Sequence, residues 1–159
     1  MIRKATQDDL PLLMPLFDKA REYMRRCGNS RQWVGGYPSE EIIRNDIADG
    51  NFYVEVSDGE ISGAFAFIIG IEPTYGSIEG EWLNPLPYGT IHRLASSGLR
   101  RGVADRCFTF CRQLIPNLRA DTHEDNYPMQ AALERNGFHL CGTIHLADGS
   151  PRLAYQSPP

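Results

Sequence analysis

The chain has 159 residues, a formal net charge of −4 and 42% apolar residues, which is the size and composition of one soluble domain with its own core. This acidic balance disfavours a nucleic-acid partner, whose binding surface would be basic. The longest apolar run, residues 64–69, is too short to span a bilayer, so we expect no membrane partner.

Two further features of the sequence suggest an intracellular protein without a metal. The first residues lack the apolar stretch of a secretion signal, so we expect a cytoplasmic location. None of the four cysteines forms a CxxC pair, and Cys107 and Cys111 lie four residues apart on one apolar helix face. These thiols are therefore expected to be buried and reduced, with no metal site.

The first half of the chain predicts a strand, two helices and a hairpin. We expect a strand at 2–5, a helix to about residue 26 with Tyr23 on its inner face, a second helix that Ser39 caps, and strands at 52–57 and 61–71 around the Asp58-Gly59 turn. The strand at 61–71 is apolar on both faces over residues 64–69, so we expect it in the middle of a sheet. A glycine-rich loop between the helices carries Trp33 and Tyr37. These two aromatic residues either line a substrate pocket or cover the core.

The second half alternates strands with helices. Residues 72–87 predict an irregular segment that holds Glu79 and Glu81. A strand at 87–96, a helix from Val103, a strand at 118–123, a helix capped by Asn126 and a final hairpin follow. This order indicates a single α/β domain over residues 1–159, with a mixed sheet.

The turn between the strand at 87–96 and the following helix is the first candidate for a ligand site. A helix start leaves backbone N–H groups free and carries the positive end of the helix dipole. Gly102 lets a ligand approach the backbone, and Arg100 and Arg101 add charge-assisted donors. The turn therefore favours a phosphate-bearing ligand, although it can equally be a plain structural connection with surface arginines.

Two stretches resemble a known family. The turn Leu99-Arg100-Arg101-Gly102-Val103-Ala104 resembles the Q/R-x-x-G-x-G/A turn of the GCN5-related N-acetyltransferases, the GNAT family. Residues 126–138 resemble that family's N-x-x-A-x-x-L-Y-E-K-x-G-F pattern, and the resemblance covers essentially the whole chain. It implies the GNAT fold, a central mixed sheet flanked by helices. It also implies an enzyme that moves the acetyl group of acetyl-CoA to an amine of a small molecule or peptide by direct attack.

The resemblance also implies where acetyl-CoA binds. The backbone N–H groups of the turn would hold the pyrophosphate, and a splayed strand at 93–96 would bond the pantetheine amides as in strand addition. Asn126 would contact the pantetheine arm or the acceptor, and it also suits a plain helix cap. The expected cofactor-binding residues are Leu94, Ala95, Ser96, Leu99, Arg100, Arg101, Gly102, Val103, Ala104, Asn126 and Met129.

The chain departs from the family pattern at two positions. Leu99 stands at the Q/R position, where the backbone contacts do not need a polar side chain. Leu133 stands at the family tyrosine that often protonates the leaving thiolate. Tyr127, Tyr155 or solvent are the candidates for replacing that acid.

Direct attack requires a base that takes a proton from the amine. His92 is our first candidate, because it is the titratable residue on a strand face that we expect to include Thr90 and Leu94. A structural histidine bonded to a neighbouring element is the alternative. Glu79 and Glu81 are the next candidates for the base.

The acceptor pocket is expected to include Trp33, Tyr37 and Glu79, and the acidic residues would suit a cationic amine. Two rival hypotheses stay open. The first is a CoA-binding sensor or interaction module of the same fold with weakened catalysis, which the leucines at 99 and 133 favour. The second is a different acyl donor or a hydroxyl acceptor. A homodimer is a family-level expectation.

Overall fold

The computed structural model describes residues 1–159 and contains one eight-stranded sheet with helices on both faces. The strands are β1 (Ile2–Lys4), β2 (Phe52–Ser57), β3 (Glu60–Ile69), β4 (Ile78–Gly80), β5 (Gly89–Ser96), β6 (Leu118–Thr122), β7 (His139–His145) and β8 (Pro151–Ser157). The helices are α1 (Leu10–Arg26), α2 (Glu40–Ala48), α3 (Val103–Leu114) and α4 (Tyr127–Arg135), with short 3-10 helices at Gln7–Asp9 and Pro73–Gly76.

The sheet is mixed, as predicted, with the strand order β1-β2-β3-β5-β6-β8-β7-β4. The pair β5–β6 is parallel, and the other six pairs are antiparallel. Residues 72–87 are not wholly irregular, because β4 pairs with β7 at the sheet edge. The backbones approach so closely there that a Cβ on Gly80 would lie 2.3 Å from the Cys141 carbonyl oxygen. Such a short strand has no hydrophobic pattern of its own, which explains why the sequence did not indicate it.

Two apolar clusters pack on opposite faces of the sheet. Leu13, Phe17 and Ile43 of α1 and α2 belong to one cluster, and Phe108 and Leu133 of α3 and α4 belong to the other. Strand β3 contributes to both clusters, which confirms its predicted place in the middle of the sheet. A strand that is apolar on both faces is stabilised by burial on each side.

Two expectations about side-chain burial had different outcomes. Cys107 and Cys111 are buried and free on the inner face of α3, as predicted, and the other two cysteines are also unpaired. Tyr23, expected inside α1, is instead 52% exposed. No helix has both the length and the apolar character needed to cross a membrane.

Strands β5 and β6 diverge after three paired residues. Their parallel register runs from Gly89 opposite Leu118 to Ile91 opposite Ala120 and ends there. A β-bulge against β3 follows in β5, where Arg93 has a φ of 53°. The carboxyl half of β5 therefore leaves its main-chain groups unpaired on the side that faces β6.

The bulge changes which residues of β5 share a face. His92 pairs with Ala66 of the α1–α2 cluster, whereas Leu94 packs with the α3–α4 cluster beside Ile91. The expectation that His92 and Leu94 share a face is therefore wrong. Strict alternation along the strand fails because the extra residue in the bulge shifts the side chains that follow it.

Candidate active site

A cavity of about 570 Å³, which we call the turn cavity, lies at the start of α3. It is bounded by the end of β5, the turn at 97–102, the first turn of α3 and the start of α4. All the predicted cofactor-binding residues line it except Leu99, whose side chain is 63% exposed. The structure thus brings ten of the predicted residues from separate elements around one cavity. The predicted role of Leu99 concerns its backbone N–H group and stays a prediction.

The turn presents hydrogen-bond donors to this cavity. Gly102 caps α3 with a φ of 79°, a left-handed conformation that suits glycine. The backbone N–H groups that open α3 have no carbonyl partner within the helix. Arg101 forms no ion pair, and Arg100 donates to the hydroxyl of Ser57 at 3.1 Å. Free amides, a helix start and two guanidinium groups are groups with which proteins bind anions.

An ion pair between half-buried Arg106 and buried Glu55 supports the turn. Arg106 donates to both carboxylate oxygens of Glu55, at 2.7 and 2.9 Å, and to the carbonyl of Arg101 at 2.7 Å. The hydroxyl of Ser62 donates to the same carboxylate at 2.6 Å. Burial raises the pKa of Glu55, but the Arg106 and Ser62 hydrogen bonds outweigh it and the pKa is lowered overall. The ionised pair therefore holds the shape of the turn.

A second cavity of about 480 Å³, which we call the splay cavity, lies where β5 and β6 diverge. Trp33, Leu94, Asn126 and Met129 line both cavities, so the two adjoin. The lining of the splay cavity comes from both faces of the sheet, because the separated strands leave an opening between them. The two cavities therefore share a common wall on either side of the diverging strands.

His92 lines the splay cavity and contacts a carboxylate there. Its Nε2 lies 3.4 Å from Oε2 of Glu72, and both side chains are about one-fifth exposed. The other oxygen of Glu72 accepts hydrogen bonds from the backbone N–H and hydroxyl of Thr74, at 3.2 and 2.9 Å. The hydrogen bond with His92, followed by those from Thr74, lowers the pKa of Glu72 to about 2. Glu72 is therefore ionised at neutral pH.

Glu72 is a site residue that the sequence analysis did not select. It follows β3 and accepts a backbone hydrogen bond at the start of the 3-10 helix Pro73–Gly76. In the sequence, Glu72 stands before Pro73, directly after the predicted strand at 61–71. That signal indicates a cap and carries no information about His92, which lies twenty residues further along the chain.

Three predicted site residues lie outside both cavities. Glu79 and Glu81 lie in or next to β4, at the far edge of the sheet, and line neither cavity. Tyr127 is 68% exposed because helical periodicity turns Met129 and Leu133 of α4 towards the cavities instead. The structure therefore places none of the three beside the other predicted site residues, and their predicted roles do not enter the proposal below.

The aromatic loop forms one wall of the splay cavity. Trp33 packs on Phe17 of the core at 5.7 Å between ring centroids and on Tyr37 at 6.3 Å. Both alternatives for Trp33 therefore hold, because it covers the core and lines the cavity. The hydroxyl of Tyr37 accepts a hydrogen bond from Arg93 at 3.0 Å, which ties the loop to the bulge in β5.

Asn126 connects this loop to α4. Its Oδ1 accepts from the backbone N–H of Met129 at 3.2 Å, the contact of a helix cap. Its Nδ2 donates to Oε1 of Gln32 at 2.9 Å. The predicted cap is confirmed, and its side chain also fixes the loop at the junction of the two cavities.

The fold and the site define a class of protein. A mixed α/β sheet whose parallel strands diverge beside a glycine-capped helix start is the architecture that the GNAT resemblance of the sequence implies. No group of three or more His, Cys, Asp or Glu side chains forms a candidate metal site. No protein-family model matches the chain, and no curated protein is detectably similar.

Solved structures place the chain within a family. It is 37% identical to a GNAT-family acetyltransferase from Streptococcus agalactiae, with 100% of this chain and 95% of that chain covered and a TM-score of 0.87. A GNAT-family acetyltransferase from Listeria monocytogenes has the same fold at 21% identity, over 100% of this chain and 94% of that one, with a TM-score of 0.74. The aminoglycoside acetyltransferase AAC(6')-Ib in complex with coenzyme A and kanamycin also has this fold, at 20% identity over 99% of this chain and 94% of that one, with a TM-score of 0.64. The chain belongs to the GNAT family of acetyltransferases, whose reaction is acetyl transfer from acetyl-CoA to an amine.

Proposed function

We propose that acetyl-CoA binds in the turn cavity and that an amine acceptor enters the splay cavity. The observation that carries this proposal is the junction of the two cavities at Leu94, Asn126 and Met129. An anion site on one side and a histidine–carboxylate pair on the other are what transfer between two substrates requires. The fold shared with an acetyltransferase bound to coenzyme A and kanamycin supports the same arrangement.

The residues of the turn cavity fit the donor. The phosphates of acetyl-CoA would accept hydrogen bonds from the N–H groups at the start of α3 and from Arg101, which has no ion-pair partner. Its amide groups would pair with the main chain of residues 94–96, which β6 leaves free. When bound, the donor supplies a thioester, and the protein positions it.

His92 is the proposed general base. An aliphatic amine is protonated at neutral pH and must lose a proton before it can attack. His92 lies in the cavity assigned to the amine, and its Nε2 is 3.4 Å from the carboxylate of Glu72, which would orient the ring. Glu72 is the proposed positioning residue, because it orients the ring and does not itself contact the amine.

The leaving sulfur requires a proton from another source. Leu133 lines the splay cavity at the position of the family tyrosine, and it is apolar. Tyr155 is buried in the α3–α4 cluster and lines neither cavity. Because Tyr127 also lies outside, we propose that solvent entering the open cavity supplies this proton.

A CoA-binding sensor is the second candidate. The apolar side chain of Leu133 favours it, because a sensor would have no need of a general acid. The sensor and the enzyme share the turn cavity, so binding of acetyl-CoA does not distinguish them. Release of the free thiol in the presence of an amine does.

Thermal unfolding with acetyl-CoA, CoA and ATP, followed by thiol-release assays with a panel of amines, tests the proposal. A ligand at one hundred times its dissociation constant adds about 2.7 kcal/mol to stability. A raised midpoint with acetyl-CoA and CoA but not ATP, together with thiol release, supports the enzyme. A raised midpoint without release supports the sensor, and no shift with either CoA compound contradicts both.

We also propose a cytoplasmic location. All four cysteines are free, and two of them are buried four residues apart on one helix, which suits a reducing compartment. The homodimer stays a prediction, for which light scattering of the purified chain is the direct test. Labelling of the native protein in intact cells tests the location.

A further inference from the structure

Arg152 of β8 is a buried cation without a counter-ion. It is 6% exposed, it lines the splay cavity, and no carboxylate lies within 4.0 Å of its guanidinium group. Its Nη1 donates to the carbonyl of Pro151 at 2.8 Å, and its Nη2 donates to the carbonyl of Gln32 at 3.2 Å. The guanidinium group has five N–H donors, so most of them have no acceptor in the protein.

The other sheltered arginines have partners that account for their burial. Arg93 pairs with Asp46 at 2.8 Å, and Arg106 forms two hydrogen bonds with Glu55. Arg119, as buried as Arg152 and also without a carboxylate partner, has an unpaired Nε, but its guanidinium group lies 4.0 Å from the ring centroids of both Trp82 and Tyr88 and donates to the carbonyl of Asn84. No such partner accompanies Arg152, whose pKa is lowered by burial.

The acidic residues near Arg152 are engaged elsewhere. Asp121 of β6 lies on the same sheet face, because it pairs with Ala154, two residues from Arg152. Its carboxylate accepts a hydrogen bond from the hydroxyl of Tyr75 at 2.6 Å. Asp148 lies in the β7–β8 turn and accepts from the backbone N–H of Ser150. Neither carboxylate compensates the charge of Arg152 at contact distance.

We propose that Arg152 binds a carboxylate of the acceptor, so that the substrate is an amino acid or another amine that carries a carboxylate. This inference rests on the proposed function, which assigns the splay cavity to the acceptor. Desolvating an unpaired guanidinium group costs free energy, and a ligand oxyanion would recover that cost through paired hydrogen bonds. Arg152 is thus a specificity-determining residue, distinct from the proposed base His92.

The positions of the two residues suit a substrate with two charged ends. His92 and Asp121 directly follow the last paired residues of β5 and β6, so their side chains lie on the same face of the sheet. Arg152 of β8 lies on that face too, because it is two residues from Ala154, the partner of Asp121. The amine would lie at the β5 side near His92 and Glu72, and the carboxylate would lie at the β8 side. A monoanionic carboxylate is favoured over a phosphate, because Asp121 and Asp148 would repel a dianion more strongly.

Matched substrates test the inference on the unmodified protein. We would compare kcat/KM for phenylalanine with that for phenethylamine, and for lysine with that for cadaverine, by thiol release. The acid should be preferred by at least about 30-fold in each pair, the loss expected when a buried charge is left unpaired. Phosphoethanolamine, an amine that carries a phosphate and no carboxylate, tests whether the site binds phosphate instead. It should be a poorer substrate than the amino acids.

Variants of Arg152 test whether this residue causes the preference for the carboxylate-bearing substrate. In Arg152→Gln the ratio of kcat/KM for the amino acid to kcat/KM for the matched amine should fall towards one, because KM for the amino acid rises. Arg152→Lys should retain part of the preference. Arg44→Gln is the control, because Arg44 is an exposed arginine paired with Glu40 at 3.5 Å and lies outside both cavities. It should retain the preference. An acetyl-CoA thermal shift verifies that each variant is folded, and if Arg152→Gln does not fold, Arg152→Lys and the matched substrates decide.

Three outcomes would overturn the inference. Equal kcat/KM values within the matched pairs would show that the enzyme does not recognise a carboxylate. A higher kcat/KM for phosphoethanolamine than for the amino acids would show that the site binds a phosphate instead. An unchanged ratio in a folded Arg152→Gln variant places the carboxylate elsewhere. If acetyl-CoA binds but no amine is turned over, the enzyme proposal fails separately. Thermal shifts with phenylalanine and phenethylamine in the presence of CoA then decide whether the carboxylate is bound.

Discussion

His92 and Glu72 meet at 3.4 Å in the cavity between the diverging strands, although they belong to different segments of the chain. Thr74 holds the second oxygen of Glu72, so the carboxylate is fixed before it contacts the imidazole. The pair combines a titratable ring with an ionised partner next to the anion-binding turn. This relationship underlies the first two predictions.

Replacing His92 with alanine should reduce kcat by about 10²–10⁴-fold while acetyl-CoA binding stays intact, because general base catalysis contributes factors of that size. His92 lines only the splay cavity, so the turn cavity is unaffected. Thiol release at several pH values and the acetyl-CoA thermal shift are the two measurements. Unchanged turnover across neutral pH would exclude His92 as the base.

Replacing Glu72 with glutamine should alter the pH dependence of stability. The folded-state pKa of Glu72 is lowered from 4.5 to about 2, so its ionised form stabilises the fold above about pH 4.5. That stabilisation is lost as the pH falls towards 2. We expect the wild type to exceed Glu72→Gln by on the order of 2 kcal/mol at pH 7, with the difference shrinking below pH 4.

Urea unfolding of both proteins at pH 7, 5 and 3 measures this difference. Exposed Glu41 supplies the control, because Glu41→Gln removes a carboxylate from α2 away from both cavities. A difference that is independent of pH would show that Glu72 stabilises the protein by packing and not by its charge.

Replacing Arg101 with glutamine should weaken acetyl-CoA binding by about tenfold or more, the value of one charge-assisted hydrogen bond. Arg101 lines the turn cavity and has no carboxylate partner. Arg44→Gln is the control, since Arg44 is paired with Glu40 on α2, outside both cavities. Titration by calorimetry at two salt concentrations checks the prediction, and the affinity loss should be smaller at high salt. An equal loss in both variants would contradict a specific phosphate contact.

Replacing Gly63 with alanine should destabilise the protein by about 1–3 kcal/mol, as overpacking of a tight contact does. A Cβ at this position would lie 2.4 Å from Cγ1 of Val103, the first residue of α3. Displacement of that helix start should also weaken acetyl-CoA binding. Gly76→Ala is the control, because no atom lies within 4 Å of its Cβ position. Urea unfolding and acetyl-CoA titration of both variants give the comparison, and equal stabilities would refute the close contact.

Local signals in the sequence determined most of the fold. The Gly102 turn, the Asn126 cap and the apolar stripe of α3 each depend on residues within a few positions of one another, and each is present as predicted. The family pattern followed from two such local stretches, and the fold comparison agrees with it. The cofactor-binding set is gathered around one cavity for the same reason, because it belongs to consecutive local elements.

The tertiary structure decided what lies in the splay cavity. A single bulge at Arg93 moved Leu94 to the opposite face, and the pairing of β4 with β7 carried Glu79 and Glu81 away from the site. Glu72 and Arg152 came to the cavity through contacts between residues far apart in the chain. Backbone conformation and long-range packing leave no periodic trace in a sequence. The local sequence therefore determined the architecture and the turn at the start of α3, while the contact of His92 with Glu72 and the lining of the splay cavity depended on how the strands diverge.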